Sequence, residues 1–157
     1  MSIYLVLGIS IFCLIHFFPT IFVNVRKAII DKIGFNPYRG IYSLISISSL
    51  FLIYFGWRSS EVIFVFQPTE WSNWLALVLM FPALMLFISS NASSNIKRII
   101  RNPQLSAVAL WGIAHCLANG DSRSIVLFLS FTIWAIIEII MLNRRNDAWQ
   151  KPTPVAF

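Results

Sequence analysis

The chain contains two histidines, His16 and His115, and each lies within a long apolar run. Imidazole is a metal ligand and a proton carrier near neutral pH, so these are the residues best equipped for chemistry. Two histidines facing each other across a helical bundle can ligate a haem iron from both sides, and bundle interiors commonly host such sites. The competing role is structural. A histidine inside a membrane can hydrogen-bond a serine or a backbone carbonyl of a neighbouring helix, for about 0.6 kcal/mol. Cys13 lies one turn before His16 on the same helical face, where it is either an alternate ligand to the same iron or a small buried apolar residue. Cys116 points about 100° away from His115 around the helix. Zinc would need further ligands, and only the two cysteines are at hand to complete a set of four. Gly112, one turn before His115, either opens space for a porphyrin face or permits close helix packing. Glu138 snorkels or pairs with Arg144 or Arg145. No Ser–His–Asp set or paired carboxylate is placed for hydrolysis.

Membrane helices must position these residues. Hydrophobic residues make up 58% of the 157-residue chain and charged residues 11%, against about 25% charged in an average soluble domain. With a mean hydropathy of +0.77, there is too little polar surface to cover a water-facing globule. This excludes a soluble enzyme, a disordered tail and an ordinary nucleic-acid module. The net charge of +6 does not restore the last of these, because the basic residues cluster in short loops. The expected fold is all-α, a polytopic transmembrane helical bundle in one small domain.

A bilayer core about 30 Å thick requires about 20 mostly apolar residues per helix. Five stretches meet or approach this requirement: 3–23, 39–57, 72–90, 103–119 and 124–142. The apolar part of the second is Ile41–Trp57, with Tyr38 and Gly40 at the interface. Pro82 should remove one backbone hydrogen bond from the third and kink it. The fourth is the most polar, and its ends define it. Asn102 is expected to cap it, Pro103 to occupy the first helical position, and Asn119-Gly120 to stop it with glycine in a left-handed cap. Asp121 and Ser122 then offer an N-cap to the fifth helix across a tight turn, giving an antiparallel hairpin. Ser43, Ser46 and Ser49 recur at three-residue spacing and mark a helix–helix contact. Trp111 and Trp134 read as packing residues, either of which would also suit the wall of an apolar pocket.

Orientation follows from the basic residues. The first loop holds Arg26, Lys27, Lys32 and Arg39, the third Lys97, Arg98 and Arg101, and the tail Arg144, Arg145 and Lys151. Only Arg58 and Arg123 fall on the other side. Five spans then place the N-terminus outside and the C-terminus in the cytoplasm, with Trp57, Trp71 and Trp74 at the outer interface. Contact with anionic lipid headgroups is a second use for the basic loops. The first span lacks a preceding basic region and a following cleavage signal, so it reads as a helix rather than a cleaved signal peptide. Residues 143–157 read as a cytoplasmic tail whose Pro-bearing end is disordered. At about 1.5 Å of rise per residue, His16 lies roughly 10 Å and His115 roughly 15 Å from the cytoplasmic ends of their helices. The two imidazoles thus reach similar levels.

The stretch Asn102-Pro103-Gln104-Leu105 and the run Leu110-Trp111-Gly112-Ile113-Ala114-His115-Cys116-Leu117-Ala118-Asn119-Gly120-Asp121 resemble the signature of the NnrU family of bacterial membrane proteins. Tyr38-Arg39-Gly40, His16 with Pro19, and Trp134-Ala135-Ile136-Ile137-Glu138 fit the same family, so the resemblance covers nearly the whole chain. The family takes its name from a link to nitrite and nitric oxide reductase expression in denitrifying bacteria. It is related to the plant zeta-carotene isomerase, a membrane enzyme that uses haem b to convert a cis double bond to trans. The resemblance therefore implies haem b, with His16 and His115 as its iron ligands. It also implies a bacterial inner-membrane location. Where the family often has His before the proline of the fourth helix, this chain has Asn102. Where the isomerase has a cysteine one turn before its helix-four histidine, this chain has Gly112, so a ligand switch would fall to Cys13.

Three functions follow. One is haem-dependent cis–trans isomerisation of an apolar polyene such as a carotenoid, with Arg39 at the cytoplasmic interface pairing with a haem propionate. Arg39 would serve equally as a topology determinant or a lipid contact. The second is a non-catalytic haem redox protein or nitric oxide sensor linked to denitrification. The third is a membrane scaffold without a cofactor.

Overall fold

The apolar runs fold as helices in the computed structural model, which describes residues 1–145 and 149–155. The order is α1 (Ile3–Ile21), α2 (Val23–Ile33), α3 (Phe35–Ser59), α4 (Glu70–Asn91), a 3-10 turn (Asn95–Arg98), α5 (Pro103–Ala118) and α6 (Ser122–Arg145). Among the described residues the only β-type pairing is an isolated bridge between Phe64 and Asp121. Helices α1, α3, α4 and α6 are long and apolar enough to cross a membrane. The chain is thus an all-α, polytopic membrane protein. Helix α5 has 16 residues, which gives about 24 Å of length, less than the roughly 30 Å of a hydrocarbon core. The chain divides into two compact units, Met1–Val62 and Ile63–Phe157.

In the first unit α1 packs on α3 through small residues. A Cβ on Gly8 would stand 2.7 Å from the Ile53 backbone nitrogen, and one on Gly56 would collide with the Leu5 backbone. Leu5, Ile9, Ser49 and Ile53 are buried. Of the three serines expected at a helix contact, only Ser49 is fully buried, while Ser43 is exposed. Their spacing of three drifts around a helix of 3.6 residues per turn, so one face does not hold all three. The Ser60 hydroxyl donates to the Gly56 carbonyl at 2.7 Å and accepts from the Ser2 backbone N–H at 2.9 Å, joining the start of α1 to the end of α3.

The helix bounds differ from the sequence expectation at the first loop. The first helix stops at Ile21, and the basic stretch is itself a helix, α2, with no buried residue. The next helix begins at Phe35 rather than residue 39, because Pro37 falls in the first turn, where a missing N–H breaks no intrahelical bond. Gly34, at φ 89°, is the one positive-φ residue among those described, and it turns the chain between α2 and α3.

In the second unit α5 packs against both α4 and α6. Helix α4 starts with a reciprocal cap between Thr69 and Ser72 and runs through Pro82 to Asn91. The hairpin of α5 and α6 is closed as expected by Asp121, whose Oδ1 accepts from the Ser124 N–H at 3.0 Å. Two other end features differ from expectation. Asn102 makes no capping hydrogen bond; its amide nitrogen donates to Asn143 Oδ1 on α6 at 3.0 Å. Gly120 is not left-handed. Its lack of a side chain lets residues 63–66 lie on the turn, where a Cβ would collide with the Phe66 carbonyl. There the Gly120 carbonyl accepts from the Val65 and Phe66 N–H groups, and the Ser122 N–H donates to the Ile63 carbonyl. Helix α6 extends to Arg145, beyond the expected residue 142. Residues 146–148 and 156–157 of the expected tail lie outside the described residues.

Candidate functional site

Each unit holds one histidine, and both are bound to their own helix in the same way. His16 Nδ1 donates to the Phe12 carbonyl at 2.7 Å, and His115 Nδ1 donates to the Trp111 carbonyl at 2.9 Å. A carbonyl only accepts, so Nδ1 of both rings carries a proton, and in the neutral imidazole the lone pair is on Nε2. Metal-bound histidines commonly share this arrangement, in which the non-ligating nitrogen donates to a carbonyl or carboxylate that fixes tautomer and ring orientation. Both rings are half-buried.

The His115 ring is held by aromatic neighbours. Its centre lies 4.8 Å from that of Trp111 on its own helix and 4.4 Å from that of Phe128 on α6. Trp111 also meets Phe128 edge-on at 4.9 Å, completing a three-ring cluster. His115 lines a cleft of about 370 Å³ with Asn73, Ala76, Leu77, Met80, Ala114 and Ala118. Met80 is shared with an adjoining apolar cleft of about 330 Å³, whose wall includes Ala83, Phe87, Ala107 and Trp111. Small residues on both α4 and α5 therefore open the groove beside the imidazole.

Gly112 does not add to that space. A Cβ there would collide with Thr132 Oγ1 and stand 2.7 Å from the Phe128 carbonyl, so this face of α5 is filled by α6. Close packing, not room for a porphyrin, accounts for this glycine. Thr132 donates to the Phe128 carbonyl at 2.9 Å, which satisfies the hydroxyl at the contact. Trp134 is buried, whereas Trp111 is half-buried and lines a cleft. Glu138 is also buried, at 6% exposure, which rules against snorkelling, the first of its two expected roles.

In the first unit the His16 ring stacks on Phe12 at 4.0 Å and meets the edge of Tyr42 at 5.5 Å. Tyr42 also lines a cleft of about 350 Å³ with Pro19, Arg26, Phe35, Tyr38, Arg39 and Ser43. The structure thus brings Arg39 to a cleft one aromatic residue removed from His16. Arg39 is exposed, with its guanidinium 5.5 Å from the centre of the Phe35 ring. Arg26, which the sequence offers as a topology signal or a lipid contact, and Tyr38, an interface and motif residue, both form walls of this cleft. The repeated Arg and Tyr around the Tyr38-Arg39 motif was the available signal.

Cys13 and Cys116 are both half-buried free thiols. Among the described residues no three His, Cys, Asp or Glu side chains cluster as a metal site. A haem differs from a zinc ion here, because its macrocycle fills four coordination positions and asks only axial ligands of the protein. The Nδ1 hydrogen bonds, the aromatic neighbours and the half-burial of the rings are compatible with imidazole ligands to such an iron.

Comparison with known proteins gave no match among curated proteins or solved structures. A match to the family described as NnrU protein spans residues 4–156, and the chain accordingly belongs to the NnrU family.

Proposed function

We propose that this is a haem b protein of the bacterial inner membrane, in which His16 and His115 would hold the iron and Arg39 would pair with a propionate. The observation that carries the reading is that both histidines of the chain have Nδ1 engaged by a backbone carbonyl, which makes Nε2 the nitrogen that would meet an iron. Bound haem supplies an iron that can bind nitric oxide or act on an alkene. The protein's own part is to hold the two imidazoles in one tautomer, keep water away with Trp111 and Phe128, and offer an apolar surface beside His115. The second cleft favours an isomerase-like use on a polyene, since its named walls, Met80, Ala83, Phe87, Ala107 and Trp111, are all apolar. In this reading α5 is a fifth span, the N-terminus lies outside and the C-terminus in the cytoplasm, as the basic residues favour.

Absorption spectra of the detergent-purified protein, oxidised and reduced, test the proposal. A Soret band with sharp reduced bands is expected, lost or shifted in both His16→Ala and His115→Ala. A colourless protein that stays colourless after haem supplementation would overturn it and favour a scaffold. Arg39→Ala should lower haem retention, and unchanged retention would remove the propionate role. With haem established, a polyene assay and nitric oxide difference spectra of the reduced form separate the isomerase from the sensor.

A further inference from the structure

The cleft in the first unit contains two donors that nothing among the described residues satisfies. Arg26 Nε and the Tyr38 hydroxyl are both buried, and neither has a hydrogen-bond partner. Both residues line the same cleft of about 350 Å³. Buried polar groups are nearly always paired, so two adjacent orphans call for an acceptor. The guanidinium of Arg26 lies 5.7 Å from the centre of the Tyr38 ring, which holds the two side chains together. Arg39, Tyr42 and Ser43 belong to the same wall. Arginine suits phosphate because its planar fork makes paired, charge-assisted hydrogen bonds.

The place of the cleft selects the source of that phosphate. Pro19 comes from the end of α1, Phe35 to Ser43 from the start of α3, and Arg26 from α2 between them. Both α1 and α3 are long and apolar enough to span, so this is where hydrocarbon gives way to headgroups. Helix α2 has 11 residues with no buried one, and it exposes Val23, Val25 and Ile33 beside Arg26, Lys27 and Lys32. It is too short to span and has the composition of a helix lying in the interface plane. We infer that the cleft between α1, α2 and α3 is a binding site for the phosphate of an anionic phospholipid, with Arg26 and the Tyr38 hydroxyl as its inner ligands. Arg39, proposed above for a propionate, lines the same cleft, but the phosphate site rests on Arg26 and Tyr38 and not on haem binding.

The test uses the full-length protein carrying His16→Ala and His115→Ala, which keeps the proposed iron ligands out of the readout. Short-chain phosphatidylglycerol, matched phosphatidylcholine and inorganic phosphate are titrated separately, and native mass spectrometry reads the bound fraction. One phosphatidylglycerol should bind saturably per chain, in preference to phosphatidylcholine. Tyr38→Phe, which keeps the ring, and Arg26→Gln should each weaken it about tenfold, the loss expected for one charge-assisted hydrogen bond. Lys27→Gln removes the same charge from the same helix outside the cleft and should change binding less than about twofold. Equal losses in Arg26→Gln and Lys27→Gln would overturn the site in favour of diffuse attraction. Competition by inorganic phosphate at lipid-like concentrations would overturn the lipid as its source. In the parent protein with both histidines intact, a Tyr38→Phe variant that loses haem while keeping phosphatidylglycerol would assign the donors to a propionate instead.

Discussion

Gly112 and Gly40 are both helical glycines, and their surroundings give opposite consequences. At Gly112 a methyl group would collide with Thr132 and the Phe128 carbonyl, whereas at Gly40 nothing lies within 4 Å. Gly112→Ala should therefore destabilise the protein by about 1–3 kcal/mol, as overpacking does. Gly40→Ala should stabilise it by up to about 1 kcal/mol, the difference in helix propensity. Unfolding midpoints in a fixed detergent check both, and equal shifts would contradict the packing described. His16 and His115 stood out in the sequence because ionisable side chains are scarce in apolar runs. Their bonds to Phe12 and Trp111 follow from helical spacing alone, but Phe128 and Tyr42 reach them by packing between helices, which no local pattern reveals.

Helix ends were legible where a side chain acts on its own turn and obscure where it acts elsewhere. Asp121 caps α6 as its position before Ser122 suggested, and Asp121→Ala should cost about 1 kcal/mol in the same unfolding assay. Asn102 has an equally good capping sequence, yet its amide is used across to Asn143. Helix α2 was hidden because Arg26, Lys27, Asp31 and Lys32 crowd 11 residues, and hydropathy reads such a stretch as a loop. Its end depends on Gly34, whose φ of 89° is costly for any residue with a Cβ. Gly34→Ala is expected to destabilise by about 1–2 kcal/mol, and a helical gain without loss of stability would show that the turn can straighten.

For the whole molecule, the membrane class was fixed by composition, and the positions of all the long helices were readable from hydropathy. The division into two units was not, since it depends on which helices pack together rather than on any boundary in composition. Side assignment still rests on the basic residues, and cysteine labelling tests it. In a Cys13→Ala, Cys116→Ala background, Lys97→Cys should react only after the membrane is made permeable. Glu61→Cys should react from outside in intact cells. The same accessibility for both positions would refute the five-span arrangement.

The i−4 bond of each histidine has one more implication. A histidine's tautomer is often set by a partner brought from a distant part of the fold, and it loses that setting when the fold loosens. Here the partner is the preceding turn of the same helix, so the readiness of the ring is a property of secondary structure. A synthetic peptide covering Pro103–Ala118 and folded in micelles would keep the Nδ1–H form of its imidazole while losing Phe128 altogether. Nitrogen-15 chemical shifts of that ring would then separate what the helix confers from what the assembled protein adds.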